Sequence, residues 1–431
     1  MGKDPEEQFL KAQQLFRAHQ FKKSGKKFHN AGMSFLELED YLHAKSSFLN
    51  GANAFIEAQK DEPVLVLLRL ASEVSLLTDD YIGANNVYKQ TMEIISNLKK
   101  SDDRNYNYIL FSVLAYFCLF VNGRQNEGLD YLKRMQKKVD SNYFKESNLI
   151  QLVTDLTVAH RDKNQKIIDK VRNDINSYRL REEELLLLKK VILIIQSQIR
   201  LEPRVELDKK EYTTNELINL TINFDTSPLI KEFEDSFYDF TVTTFEVSKV
   251  LIEMSDNLSL NKKPNFPIEI SLGENNPINF LLKPHFQMDK PFIGPIHISC
   301  VLNNNLIFIY EIDAVEINLT SPLPTLDISI KNLRPPLIGQ SFPLEVLIEN
   351  KSDGEALDVK VEVEFPEFLK VMRGTVEKQI YSLRSNEELK WELNVKPIEA
   401  GDYIIEVRVK FKDPDQNDID QVKQFPFSIK L

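Results

Sequence analysis

The sequence predicts a multidomain protein of α-then-β class: an antiparallel helical solenoid over residues 1–200, then two β-sandwiches over 203–319 and 323–431. Three observations carry this. Up to Leu201, apolar residues recur at helical spacing and only Pro5 and Pro63 of the 19 prolines occur. Beyond Leu201, strict two-residue alternation takes over and prolines become frequent. Within the first half, one motif recurs at fixed offsets, the mark of a stacked architecture. A chain of 431 residues also exceeds what one core organises, at about 100–200 residues per domain.

Ten helices are expected, at about 5–19, 21–37, 40–58, 61–78, 80–98, 103–122, 124–139, 141–160, 164–178 and 181–200. Their connections are short, so neighbours should pack as antiparallel hairpins. The recurring motif is aromatic-x-x-small-x-x-x-aromatic. It appears at Phe21/Ser24/Phe28, Tyr41/Ala44/Phe48 and Tyr81/Ala84/Tyr88, with a weaker copy at Gln125/Gly128/Leu132. A small residue lets a paired helix approach, and the flanking aromatics fill the groove, as in a tetratricopeptide-like solenoid.

The second half reads as strands. Ile218, Leu220, Ile222 and Phe224 alternate with Asn219, Thr221 and Asn223. The same alternation returns at Phe342/Leu344/Val346/Ile348, Val359/Val361/Val363/Phe365, Trp391/Leu393/Val395 and Tyr403/Ile405/Val407/Val409/Phe411. Each run implies one buried and one wet face. Turn signals such as Ser352-Asp353-Gly354 and Asp413-Pro414-Asp415 separate them. Two blocks of roughly 100 residues, parted by Ser321-Pro322-Leu323-Pro324, fit two immunoglobulin-like sandwiches.

Residues 21–59 (FKKSGKKFHNAGMSFLELEDYLHAKSSFLNGANAFIEAQ), 61–88 (DEPVLVLLRLASEVSLLTDDYIGANNVY) and 105–120 (NYNYILFSVLAYFCLF) resemble helices of the soluble NSF attachment proteins, or SNAPs. The resemblance spans about 1–200. It implies a non-enzymatic adaptor of vesicle trafficking or membrane-fusion complex disassembly, binding acidic helical or coiled-coil bundles. The family's acidic tail that stimulates its ATPase partner has no counterpart, because the leucine-rich helix 181–199 runs straight into β-structure. The last block, through Ile338-Gly339-Gln340-Ser341-Phe342 and Ala400-Gly401-Asp402-Tyr403, resembles prokaryotic adhesion-like modules, a likeness of fold rather than activity. Two alternative readings follow: a trafficking tether or coat-like subunit, and a prokaryotic signalling or surface scaffold.

Charge is uneven. Residues 1–200 carry 30 Lys and Arg against 26 Asp and Glu, and residues 201–431 carry 24 against 39. An acidic half argues against nucleic acid as a ligand. The longest apolar stretch, Tyr108 to Val121, has the length of a core helix rather than a bilayer span. The charged N-terminus and the two distant cysteines, Cys118 and Cys300, fit a cytoplasmic protein, with peripheral membrane contact open.

Catalytic motifs are absent: no GxSxG, HExxH, CxxC, Walker A or GxGxxG occurs, and no cofactor is expected. The six histidines (19, 29, 43, 160, 285 and 297) show no ligand spacing. Asp413, Asp415, Asn417, Asp418 and Asp420 place oxygens at intervals that suit Ca²⁺, against a plain hairpin turn with solvated carboxylates. Two basic clusters share one spacing: Lys22, Lys23, Lys26 and Lys27, and Lys133, Arg134, Lys137 and Lys138. Each is expected to gather charge on one side of a helix and so serve as a partner-binding surface, against the bland alternative of a solvated face.

Overall fold

The computed structural model describes residues 4–99, 101–286, 288 and 290–429. The helices of its first half are α1 (Pro5–Arg17), α2 (Phe21–Glu37), α3 (Tyr41–Glu57), α4 (Asp61–Leu77), α5 (Tyr81–Ser96), α6 (Asp102–Val121), α7 (Gln125–Gln136), α8 (Ser141–Glu146), α9 (Asn148–Arg161), α10 (Gln165–Asn173) and α11 (Glu182–Arg200), and a short α12 (Ile230–Phe233) lies within the first sandwich. Each helix from α1 to α7 packs on the next, the antiparallel arrangement expected. The α-then-β class is therefore what the chain adopts.

The first turns repeat every 20 residues. His19, Glu39, Gln59 and Asp79 all take left-handed backbone, with φ of 56°, 59°, 54° and 55°. After each, an N–H reaches back five residues: Gln20 to Leu15 O, Asp40 to Phe35 O, Lys60 to Phe55 O and Asp80 to Ser75 O. These are Schellman-type ends, built here without glycine. Asp40 and Asp80 then cap the next helix by accepting from the His43 and Gly83 amides.

The motif's small positions Ser24, Ala44 and Ala84 are fully buried, and Phe48 and Tyr88 fill the grooves beside them. Two glycines extend the close packing, since a Cβ on Gly32 would lie 2.5 Å from the Phe48 ring and one on Gly25 2.7 Å from Phe55.

Three helices depart from expectation. The helix expected at 141–160 is two, α8 and α9, broken at Ser147, whose backbone is extended (ψ 121°). At the break Asn148 Nδ2 donates to the Ser177 carbonyl, a tertiary bond that ties the start of α9 to the segment after α10. The helix expected at 164–178 ends at Asn173, followed by a 3₁₀ turn over Ile175–Tyr178. The helix expected at 124–139 stops at Gln136.

The first sandwich comprises β1 (Arg204–Leu207), β2 (Glu211–Thr213), β3 (Ile218–Asp225), β4 (Phe245–Met254), β5 (Leu258–Lys262), β6 (Ile268–Glu269), β7 (Asn275–Pro284), β8 (Phe292–Leu302), β9 (Leu306–Ile312), β10 (Val315–Glu316) and β11 (Asn318–Thr320). One sheet runs β1-β3-β7-β5; the other runs β10-β8-β4-β6, with β9 also on β8. The second sandwich comprises β12 (Leu326–Asn332), β13 (Phe342–Asn350), β14 (Ala356–Glu364), β15 (Leu369–Arg373), β16 (Glu377–Leu383), β17 (Glu388–Pro397), β18 (Gly401–Lys412) and β19 (Asp418–Ile429). Its antiparallel sheets are β12-β13-β17-β15 and β16-β14-β18-β19.

Packing does not follow the change of periodicity at Leu201. One continuous core runs from Leu76 and Tyr88 through α6, α9 and α11 into Phe224, Phe245, Ile296 and Phe308 of the first sandwich. The second sandwich holds its own core around Leu344, Trp391 and Val407. The linker passes tightly over it: a Cβ on Gly354 would lie 2.1 Å from the Pro322 carbonyl oxygen.

Candidate functional site

Antiparallel stacking sorts the turns onto two edges. On one edge lie the turns α2/α3, α4/α5 and α6/α7. On the other lie α1/α2, α3/α4, α5/α6 and α7/α8.

The first sandwich sits on the first of these edges. Asp79, in the α4/α5 turn, accepts from Asn305 of the β8–β9 turn at 2.6 Å and from Lys190 of α11 at 2.5 Å. Asn122, in the α6/α7 turn, bridges Ile307 of β9. Gln198 of α11 donates to the Ile309 carbonyl at 3.0 Å, and Lys163 to the Tyr310 hydroxyl at 3.0 Å. Charge pairs reinforce the seat: Arg172 with Asp235, Lys189 with Asp239, and Arg200 with Glu232 at 3.3 Å. A cleft of about 660 Å³ remains between the α6/α7 turn and β9, lined by His160, Lys163, His297 and Glu311.

Both basic clusters fall on the opposite edge. Lys22, Lys23 and Lys26 are exposed and Lys27 is half-buried at the start of α2. Lys23 donates to the Gln20 side chain at 3.2 Å. Among the described residues no carboxylate pairs with any of the four within 4.0 Å. Lys133, Arg134, Lys137 and Lys138 are exposed at the end of α7. Lys133 reaches Asp130 at 3.3 Å, and the Arg134 guanidinium lies 5.9 Å from the Tyr131 ring centre.

The shared spacing does not give a shared geometry. Lys137 is the C-cap of α7 and Lys138 lies beyond it, so only Lys133 and Arg134 are helical. Cations at a helix C-terminus meet the negative end of its dipole, whereas Lys22 and Lys23 stand in the first turn of α2, at the positive end. That first turn contains no acidic residue. The α7 cluster thus has a stabilising role of its own; the α2 cluster opposes its helix.

The remaining chemistry-bearing groups have local partners. Cys118 and Cys300 are free and buried, and burial pushes both thiols well above their ordinary range. His43 pairs with Asp40 at 2.8 Å, His285 Nε2 lies 2.7 Å from Ser259 Oγ, and His297 lies 3.6 Å from Glu253 and 3.7 Å from Glu311. Burial lowers the pKa of His29 and His160. His19 packs edge-on against Phe21.

Of the proposed Ca²⁺ ligands, Asp413 spends both oxygens on Asn417, accepting from its amide at 2.8 Å and its Nδ2 at 2.9 Å. Asp418 and Asp420 stand in β19 opposite Lys412 and Lys410, and Asp415 lies in the preceding turn. The hairpin turn accounts for this arrangement, and among the described residues no three His, Cys, Asp or Glu side chains group to hold a metal ion. No helix of the described residues is long and apolar enough to cross a membrane; the all-buried stretch Tyr108–Val121 is the central helix of the larger core.

No family model matches the chain. No curated protein matches it either. Among solved structures it is similar to the crystal structure of red sea bream transglutaminase, with 9% sequence identity and a TM-score of 0.22. The match covers 63% of this chain and 34% of that one. So loose a superposition carries no inference about fold or activity.

Proposed function

We propose that the chain is a non-enzymatic adaptor or scaffold, SNAP-like in its helical half, which binds an acidic helical partner in vesicle trafficking or in disassembly of membrane-fusion complexes. The observation that carries this reading is the α2 cluster. Four lysines, without carboxylate partners among the described residues, stand in the first two turns of α2, and Lys22 and Lys23 oppose its dipole, on the edge that the first sandwich leaves uncovered. A group that works against its own helix needs another reason to be there, and an acidic partner supplies one. The non-catalytic part is supported by the buried thiols and by histidines with structural neighbours. A tether or coat-like subunit is the second reading, favoured by the single core joining solenoid and first sandwich, which makes that unit stiff.

The test is capture of an acidic coiled-coil membrane-fusion bundle by the full chain, with and without Lys22→Glu, Lys23→Glu, Lys26→Glu and Lys27→Glu together. Exposed charge pairs are individually weak and are screened at a Debye length of about 8 Å in physiological salt. Capture should therefore fall steeply with added salt and be lost in the variant. Equal capture by both proteins overturns the electrostatic mechanism, and no capture at all moves the reading to the tether.

A further inference from the structure

The uncovered edge has a charge order along the stack. Its α1/α2 turn carries Arg17, Lys22, Lys23 and Lys26. Its α3/α4 turn is acidic on balance, with exposed Glu57, Asp61 and Glu62 against Lys60. At the α5/α6 turn, exposed Lys99 stands against exposed Asp102 and Asp103. Its α7/α8 turn is basic again, with Lys133, Arg134, Lys137 and Lys138 against Asp130 and Asp140. The edge is pinned at that end by buried Arg104, which donates to the Ile95 and Ser96 carbonyls ending α5 and to the Lys138 carbonyl beyond α7, at 3.2, 3.3 and 3.2 Å.

We infer that this edge binds one elongated helical polypeptide whose two acidic segments dock on the outer turns while a basic or neutral segment crosses the α3/α4 turn. The inference rests on the adaptor reading and deepens it by specifying the charge order of the partner. Six helix spacings of roughly 8–10 Å set the longest path between the outer turns at about 50–60 Å. At 1.5 Å per residue, a helix of at most about 35–40 residues covers that path. A uniform polyanion is a poor match, because the carboxylates of Glu57, Asp61 and Glu62 repel its centre. The same repulsion acts against nucleic acid and against a flat anionic membrane.

Two synthetic helical peptides of equal length and composition test this against the full chain by fluorescence anisotropy. One has glutamate-rich ends and a lysine-rich centre; the other has the reverse order. Several weak exposed pairs acting together should make the first bind about tenfold or more tightly than the second. Lys22→Glu/Lys23→Glu/Lys26→Glu and Lys133→Glu/Arg134→Glu/Lys137→Glu should each weaken it. Asp61→Lys/Glu62→Lys should abolish the preference for a basic centre. Rescue of the first variant by a peptide with lysines at one end separates lost charge complementarity from lost folding. Equal binding of both peptides, weakening from only one cluster, or no binding of either overturns the charge order. The capture experiment above decides the adaptor reading separately, because it reads the dependence of capture on the α2 lysines, whichever charge order the partner has.

Discussion

Lys22 and Lys23 occupy the second and third positions of α2, where free amides already present positive charge. Replacing both with Glu should raise stability by about 0.5–1.5 kcal/mol while weakening partner binding. The opposite sign is expected for Lys133→Glu/Arg134→Glu, which removes cations from the favourable end of α7. Urea denaturation midpoints at low salt measure both, since guanidinium would screen the effect. Titration follows the same logic. Burial holds the His29 and His160 rings below their ordinary 6.5, so the unfolded chain takes up protons that the folded chain resists. Stability is therefore full above about pH 6.5 and falls as pH drops below it. Melting temperatures at pH 7.5 and 5.5 should show the loss, and a His160→Gln chain should show less of it.

At the scale of elements, helix contacts are set by what a turn leaves out. Gly32 lies inside α2, where Ala is ordinarily better by about 1 kcal/mol. Yet its Cβ would meet the Phe48 ring of α3 at 2.5 Å, so Gly32→Ala should destabilise the chain by about 1–3 kcal/mol. Unchanged thermal stability would refute this register of α2 on α3. The end helix α11 is fixed by Glu184, whose fully buried carboxylate accepts from Arg69 of α4 at 2.8 and 2.7 Å and from the Arg181 amide at 3.0 Å. Glu184→Ala leaves that guanidinium only the longer pair with Glu73 at 3.6 Å and unpairs the Arg181 amide, an expected loss of about 1–3 kcal/mol in chemical denaturation.

At the scale of the molecule, the cores define the cooperative units. The continuous core that joins helices to the first sandwich runs from Leu76 to Leu319, two smaller clusters around Phe48 and Ala12 in α1–α5 adjoin it through the shared helices α4 and α5, and the second sandwich folds around its own. Equilibrium unfolding should show two transitions. A 325–431 fragment should be monomeric and cooperatively folded, while a 1–200 fragment should aggregate because α11, buried between the other helices and the first sandwich, loses the cover of β9 and the 230–238 segment. Size-exclusion chromatography with circular dichroism distinguishes these outcomes. A monomeric, cooperatively melting 1–200 fragment would show that the shared core is dispensable.

The sequence by itself determined the α-then-β class, the helix starts at Phe21, Asp61 and Glu182 to within a residue, and the buried small positions at Ser24, Ala44 and Ala84, because 3.6- and 2-residue periodicities record local burial directly. The 20-residue turn was less legible, since His19, Glu39, Gln59 and Asp79 stand where a left-handed helix end ordinarily announces itself with glycine. Only the tertiary structure decided which turns share an edge. Spacing presented Lys22–Lys27 and Lys133–Lys138 as equivalent, but a helix end reverses the sign of its dipole, and α7 stops before Lys137. The seat of the sandwich was equally hidden. It is made by Asp79 with Lys190 and Asn305, and by Asn122 with Ile307, pairs more than 100 residues apart whose proximity no local pattern encodes.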